Sequence, residues 1–307
     1  MKRLIRFDWA MKRLLRQKAN FVVLEGFLSE LLRTDIRIKN LLESESNKAD
    51  DTDKFNRVDL LVENAQGELI IIEIQNATEF DYLFRMLFGT AKLVTEYINE
   101  GQPYSVIRKI IAVHIVYFDL GHGDDYVYHG ATNFIGLNKG DTLRLDANQQ
   151  KLFRQETIAA VYPEYYLLKV NQFDDLAKNT LDEWLYFLKH EEIEDTFQAR
   201  GLREAKEMLD VLKLPKAEQQ QYKRYLDDLH YQASMAQTHA MTKAEGIAEG
   251  IEEGKAVGRQ EGRHAERAAL AKNALQEGLP IDLIVKLTGL APAEIEQLRL
   301  PAQPPQA

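Results

Sequence analysis

The chain contains no cysteine, and that one absence removes disulfide scaffolds, thiolate zinc sites, thiol nucleophiles and iron–sulfur clusters together. Any metal must sit on oxygen or imidazole. Long apolar runs are missing too: the longest, Ile110 to Leu120, is interrupted by His114 and Asp119 and falls far short of the ~18 residues of a spanning helix. The expectation is a protein that does not cross a membrane. Proline is sparse, at eight of 307 residues, and with 45% hydrophobic and 28% charged residues the composition excludes collagenous, low-complexity and disordered classes. An overall surplus of positive charge is also lacking. The formal net charge of -9 argues against a wholly basic nucleic-acid coat. Near the N-terminus, Lys12, Arg13 and Arg16 stand where a signal peptide needs an unbroken apolar core, so the expected location is the cytoplasm.

Positive charge is present locally. Residues 1–40 hold ten Lys and Arg against four acids, a basic patch on an acidic chain. Apolar spacing predicts two short helices over 8–15 and 21–32, broken near Ala19-Asn20. The acidic stretch from Glu43 to Asp53 has no apolar face and reads as a loop. Strand patterns over 57–63 and 68–75 flank Asn64-Ala-Gln-Gly67, a hairpin signal. The run Ile70 to Ile72 suggests a strand covered on both faces. A helix over 79–100, a buried strand over 106–118, a delimited segment over 126–137 and a late strand over 165–170 follow. These elements predict an α/β or α+β core.

Beyond Asp174 the pattern is helical, with stripes over 181–188, 201–212 and 216–235, Pro215 starting the third. Glycine then recurs every four residues at Gly246, Gly250, Gly254, Gly258 and Gly262, each costing a helix ~1 kcal/mol relative to alanine. Residues 279–298 read as two short helices joined at Gly289-Leu-Ala-Pro292. The expected organisation is a core over 1–173, a helical region over 174–242 and a glycine-repeat tail over 243–307.

The hairpin is the informative segment. Strand side chains alternate, so Glu73 and Gln75 share a face and Ile74 points away. If the connection is the three-residue loop Ala65-Gln66-Gly67, with glycine left-handed, opposed residue numbers sum to 132. Asp59 then lies opposite Glu73. A loop one residue longer or shorter sends one carboxylate to the other face. Directly opposed Cβ atoms lie ~4.5–5.5 Å apart, close enough for two carboxylates to hold one hard cation. Two acids in an isoleucine-rich strand pair otherwise cost several kcal/mol unless paired. The cation is either a metal or a base such as Arg57 or Arg85 in a structural ion pair.

An Asp, a glycine turn, then Ile72-Glu-Ile-Gln75, followed by Phe84-Arg85, resembles the Rpn family of recombination-promoting nucleases and transposases in the PD-(D/E)XK superfamily. The resemblance extends to Phe7-Asp-Trp-Ala-Met-Lys12 with Leu24-Glu-Gly-Phe-Leu28, to Leu181-Asp-Glu-Trp-Leu-Tyr-Phe-Leu188 and to the glycine tail. It implies a restriction-endonuclease-like α/β core, a mixed central sheet flanked by helices, with an α-helical C-terminal extension in a bacterial cytoplasmic protein. It implies a DNA endonuclease associated with recombination and mobile DNA, with Asp59 and Glu73 binding Mg2+ or Mn2+. Gln75 stands at the catalytic position where the superfamily usually has lysine. Glu25 matches a first-helix acid that completes the metal shell in many members; its alternative is a solvated helix surface.

Lys12, Arg13, Arg16 and Lys18 on the basic N-terminal helices are the candidate DNA contacts. Arg85 is expected either to contact phosphate or to orient a carboxylate, and Asp8 reads as a helix N-cap. Two departures stand out. Val58 replaces a proline before the aspartate, a change a strand tolerates, and Gln75 brings no charge to a pentavalent phosphate. The rival reading is a catalytically weak or inactive nuclease-fold protein that binds DNA or assembles. A homodimer through the C-terminal helices is the expected assembly.

The remaining patterns point elsewhere. His122 and His129 are seven residues apart and His114 interrupts an apolar strand, which reads as a satisfied core histidine. Trp184, Tyr186 and Phe187 sit at helical spacing and read as core. The tail glycines lack the preceding strand that a nucleotide-binding fingerprint requires.

Overall fold

Asn64 builds the turn that sets the sheet. Its side-chain oxygen accepts from Gln66 N at 3.1 Å and Glu68 N at 2.8 Å, while Gly67, at φ 83°, donates its N–H to Asn64 O at 3.0 Å. Only glycine enters that left-handed region without strain. The three-residue loop joins β2 (Leu60–Asn64) to β3 (Leu69–Gln75). The observed pairs Leu60 with Ile72, Leu61 with Ile71 and Val62 with Ile70 carry the expected sum of 132. All of β3 except Gln75 is buried, as its isoleucine run predicts.

The structure is a computed structural model that describes residues 4–42, 59–98 and 101–299. The loop expected over 43–53 lies outside the described residues, as do Arg57 and Val58. Four further strands complete a six-stranded mixed sheet: β1 (Ile38–Leu42), β4 (Ile110–Val116), β5 (Val127–Gly130) and β6 (Glu164–Lys169). The order is β1-β2-β3-β4-β6-β5. β3 pairs with β4 and β4 with β6 in parallel; the other three pairings are antiparallel. β1 was not foreseen, because Ile38-Lys-Asn-Leu-Leu42 has no regular alternation and it pairs through an irregular register.

Helix α1 (Phe7–Arg13) and α2 (Phe21–Leu32) match the expected pair, with a 3-10 turn over Lys18–Asn20 at the break. Helix α3 (Tyr82–Glu96) links β3 to β4. Its Leu93 packs on Leu61, Leu69, Ile71 and Ile110, and its Tyr82 and Met86 on Val116 and Phe118. α3 therefore covers the sheet face that carries the odd-numbered residues of β3, and Glu73 lies on that face. Helix α4 (Ala147–Phe153) was not foreseen; a capping box of Asp146 and Gln149 starts it.

Helices α5 (Thr180–His190) and α6 (Leu202–Met208) pack on α2. Phe7, Phe27, Trp184 and Phe187 meet edge to face at centroid distances of 5.4–6.2 Å, so Trp184 and Phe187 are core, whereas Tyr186 is half-buried against His190 and Phe197. Helix α7 (Lys216–Gln276) runs unbroken through the glycine repeat, and α8 (Ile281–Thr288) and α9 (Pro292–Gln297) follow it. The chain divides into two compact units, Met1–Tyr222 and Lys223–Ala307. The expected boundaries at 173 and 242 do not coincide with this division: α5 and α6 join the core by packing on α2, and residue 242 falls inside one helix. In the second unit Ala271 of α7, Ile284 of α8, Leu290 of the connection to α9 and Ile295 of α9 form a small core. Among the described residues no helix is long and apolar enough to cross a membrane.

Candidate active site

Continuing the β2–β3 register beyond Leu60 puts Asp59 beside Glu73. Asp59 Oδ2 accepts from Ile74 N at 2.8 Å, so the backbone of β3 itself orients this carboxylate. Its Oδ1 lies 3.1 Å from Lys12 Nζ, and Arg16 of the turn after α1 donates to Asp59 O at 2.8 Å. Glu73 Oε1 lies 2.5 Å from Arg85 Nη2, and its Oε2 lies 3.5 Å from His114 Nδ1. His114 pairs with Glu73 across the parallel β3–β4 ladder and also meets the Tyr82 hydroxyl at 3.1 Å. Arg85 extends to Glu79 Oε2 at 2.8 Å. Gln75 Nε2 donates to the same Glu79 oxygen at 3.3 Å and to Ala77 O at 3.2 Å.

The two carboxylates titrate in opposite directions. Burial pushes Asp59 above the usual aspartate range, and the negative charge of Glu73 adds to it, while Lys12 and the Ile74 N–H oppose the rise. Burial also acts to raise Glu73, but His114 and Arg85 together outweigh it and hold Glu73 below the usual range. Arg85 is itself raised: burial opposes this, and Glu73 and Glu79 prevail. Two acids on one face with proton affinities driven apart are the pattern by which one site separates a charged ligand from a proton acceptor.

Of the candidate residues, the structure gathers Asp59, Glu73, Gln75, Arg85, Lys12 and Arg16. Arg85 is ion-paired with Glu73 and Glu79. Glu25 is committed elsewhere: Oε1 accepts from Ile38 N at 2.8 Å and Oε2 lies 3.3 Å from Arg37. No hydrogen bond or ion pair among the described residues links it to Asp59 or Glu73. Arg13 bonds Gln221 and covers the Trp9 ring, and Lys18 is exposed. Asp8 is not the N-cap: α1 starts at Phe7, with Arg6 preceding it. The buried Asp8 carboxylate instead accepts from Trp9 N and from Asn76 Nδ2, both at 2.8 Å, tying α1 to the end of β3. His114 is buried but only half satisfied, since its Nε2 has no partner among the described residues.

Sequence reasoning missed Glu79, Tyr82 and His114 as neighbours of the carboxylates. The β3–α3 crossover supplies two of them and the parallel strand the third. No signal in the sequence marks a parallel register, because it depends on the crossover between the strands. Gln75 itself brings no charge, and Lys12 and Arg85 place two cations beside the carboxylates.

The donor chemistry suits a hard divalent cation. Asp59 and Glu73 offer oxygen ligands from opposed strand positions, and three carboxylates, with Glu79, outnumber the two cations Lys12 and Arg85. Among the described residues no group of three His, Cys, Asp or Glu forms a ready-made metal cage. Magnesium needs none, since it is commonly held by one or two carboxylates with its waters and substrate phosphates.

Neither the curated proteins nor the solved structures contain a match to this chain. One family model does match, that of the PD-(D/E)XK nuclease family transposase, over residues 5–239. That span covers every element from α1 to α6, both carboxylates and the residues packed on them. A mixed sheet presenting Asp59 and Glu73 from a hairpin agrees with it, and the chain belongs to the PD-(D/E)XK nuclease family transposases.

Proposed function

We propose that the protein is a Mg2+-dependent DNA endonuclease, Mn2+ being able to serve, and that it acts in recombination of mobile DNA in the cytoplasm. The observation that carries this reading is the opposed pair Asp59 and Glu73 on one face, Glu73 buried and Asp59 half-buried, with each oxygen directed by a named group. When bound there, the metal supplies Lewis-acid charge at the phosphate and lowers the pKa of an attacking water. Asp59 and Glu73 provide its ligands. Lys12, 3.1 Å from Asp59 Oδ1, is assigned the cationic contact to the scissile phosphate. Arg85 holds Glu73 in its ligating orientation. Gln75, anchored through Glu79, is assigned the hydrogen bond that positions a water. Arg13, Arg16 and Lys18 extend the basic surface along the DNA backbone, where each neutralised phosphate contributes salt-dependent affinity.

A second reading rests on a specific observation. All four carboxylate oxygens of Asp59 and Glu73 already have protein partners, so a site closed by Lys12 and Arg85 fits a nuclease-fold protein that binds DNA or assembles without cutting. A plasmid nicking assay separates the two. Nicking in Mg2+ that disappears with EDTA and in Asp59→Ala supports the endonuclease. DNA binding with no nicking in either Mg2+ or Mn2+ supports the silent protein. The expected homodimer through the C-terminal helices would use the glycine face of α7, where a Cβ built on Gly246, Gly250, Gly254, Gly258 or Gly262 meets nothing within 4 Å; it is the alternative interface that loss of the dimer only in Ile251→Glu would identify.

A further inference from the structure

Helix α3 covers the sheet with Tyr82, Met86, Thr90 and Leu93 and turns an apolar face outward. Phe80, in the turn before it, is 96% exposed, Leu83 57%, Phe84 76%, Leu87 59% and Phe88 52%. Ala91 continues the same exposed face. Five large hydrophobic side chains at i, i+3, i+4, i+7 and i+8 are the contact stripe of an amphipathic helix, here on the side away from its own core.

We propose that this face is an interface with a second copy of the chain, the two α3 helices packing antiparallel about a two-fold axis between Met86 and Leu87. Two observations favour a second copy over other occupants. The first is area. At ~200 Å² per large side chain, the exposed fractions leave roughly 700 Å² of apolar surface, near the ~800 Å² each partner gives to a standard interface and above the usual largest patch of a monomer.

The second is charge. Asp81 and Lys92 flank the stripe eleven residues apart, about three helical turns, and so lie on the same edge. Among the described residues neither side chain has an ion-pair partner. In an antiparallel two-fold pair the same edge of each helix faces itself. With the axis between residues 86 and 87, Asp81 meets the second copy's Lys92 and Lys92 meets its Asp81, so the apolar stripe is closed at both ends by a complementary pair. A DNA backbone would meet only Asp81 and Lys92 on this face, with no net positive charge. The inference stands independently of the proposed nuclease activity.

Sedimentation equilibrium of the full chain tests it. The wild-type chain is expected at twice the 35.3 kDa monomer mass across the micromolar range, and Leu87→Glu, an exposed position, at the monomer mass with association at least ~30-fold weaker. Asp81→Lys should weaken the dimer ~10-fold, because symmetry repeats the contact, and Asp81→Lys with Lys92→Asp should restore it. Because the chain has no cysteine, Leu87→Cys gives a single possible disulfide: it should cross-link under mild oxidation far faster than Phe80→Cys, which lies at the end of the pair. A monomeric wild-type chain, a dimer that survives Leu87→Glu, or equal cross-linking at the two positions overturns the proposal. So does a dimer lost only in Ile251→Glu on α7, which places the interface in the tail. A Leu87→Glu chain that loses DNA affinity with no change in mass assigns the face to DNA and overturns it as well.

Discussion

Asp59 and Glu73 carry the same charge on adjacent strands, yet their surroundings treat them differently. Glu73 is stabilised as a carboxylate by His114 and Arg85, whereas burial leaves Asp59 raised in spite of Lys12. A carboxylate whose folded pKa lies above its unfolded value costs stability once it is charged. The cost is absent below the ordinary value of 3.8 and sets in as pH rises through the raised folded value. Asp59→Asn is therefore expected to raise the melting temperature in chelator by ~1–3 °C at pH 7, with the difference shrinking towards pH 4, while nicking is lost. A lower melting temperature at pH 7 would contradict this account of Asp59. Lys12 and Gln75 are separable by the same logic. Lys12→Ala should reduce cleavage ~10²–10³-fold, as for loss of a positioned electrostatic group, and shift the acid limb of the rate profile to higher pH, because Lys12 holds Asp59 down. Gln75→Ala should retain metal binding and lower cleavage without that shift, and Gln75→Lys should retain or raise cleavage. Full cleavage in Gln75→Ala would leave Gln75 with no catalytic part.

At the level of elements, α2 and the start of α6 approach closely at one point. A Cβ on Gly26 would sit 2.6 Å from Gly201 Cα and closer still to Arg200 O, and Gly201 itself holds φ 83°. Both obstacles are backbone, so neither can swing away. The Arg200 carbonyl is further held by Trp184 Nε1 at 3.1 Å. Gly26→Ala should cost ~1–3 kcal/mol through overpacking, read as a drop of several degrees in melting temperature with secondary structure retained. An unchanged melting temperature would show that α6 moves freely on α2. The sequence displays Gly26 inside a helical pattern, where it looks like a weak helix former; its need appears only when α6 is laid across it.

For the whole molecule, the division after Tyr222 falls two turns into α7. Tyr222 is buried, meets Trp9 edge to face at 5.3 Å and accepts Arg6 N at 3.1 Å, so the first turns of α7 belong to the first unit. A chain ending after Asp228 should unfold cooperatively within ~2 °C of the full chain's first unit and retain any nicking activity. A chain ending at Pro215, without Tyr222, should lose ~3 kcal/mol, the usual cost of deleting a buried aromatic. Equal stability of the two truncations would mean that the α7 start contributes nothing to the core.

What the sequence determined alone is local. A three-residue loop closed by Asn64 and Gly67, and a strand period of two, decide the register, and the register decides that Asp59 and Glu73 oppose each other. The ordered motifs carry the family in the same way. The partners of those carboxylates were decided by tertiary packing. Lys12 is 47 positions from Asp59, His114 reaches Glu73 only through a parallel ladder, and Arg85 depends on how the β3–α3 turn aims the helix. Glu25 shows the converse: its place in the motif suggested the metal shell, and the approach of Arg37 and Ile38 engaged it elsewhere. Backbone pairing is written in neighbouring residues, whereas desolvation and long-range charge exist only once the chain has packed, and it is these that set Asp59 and Glu73 apart.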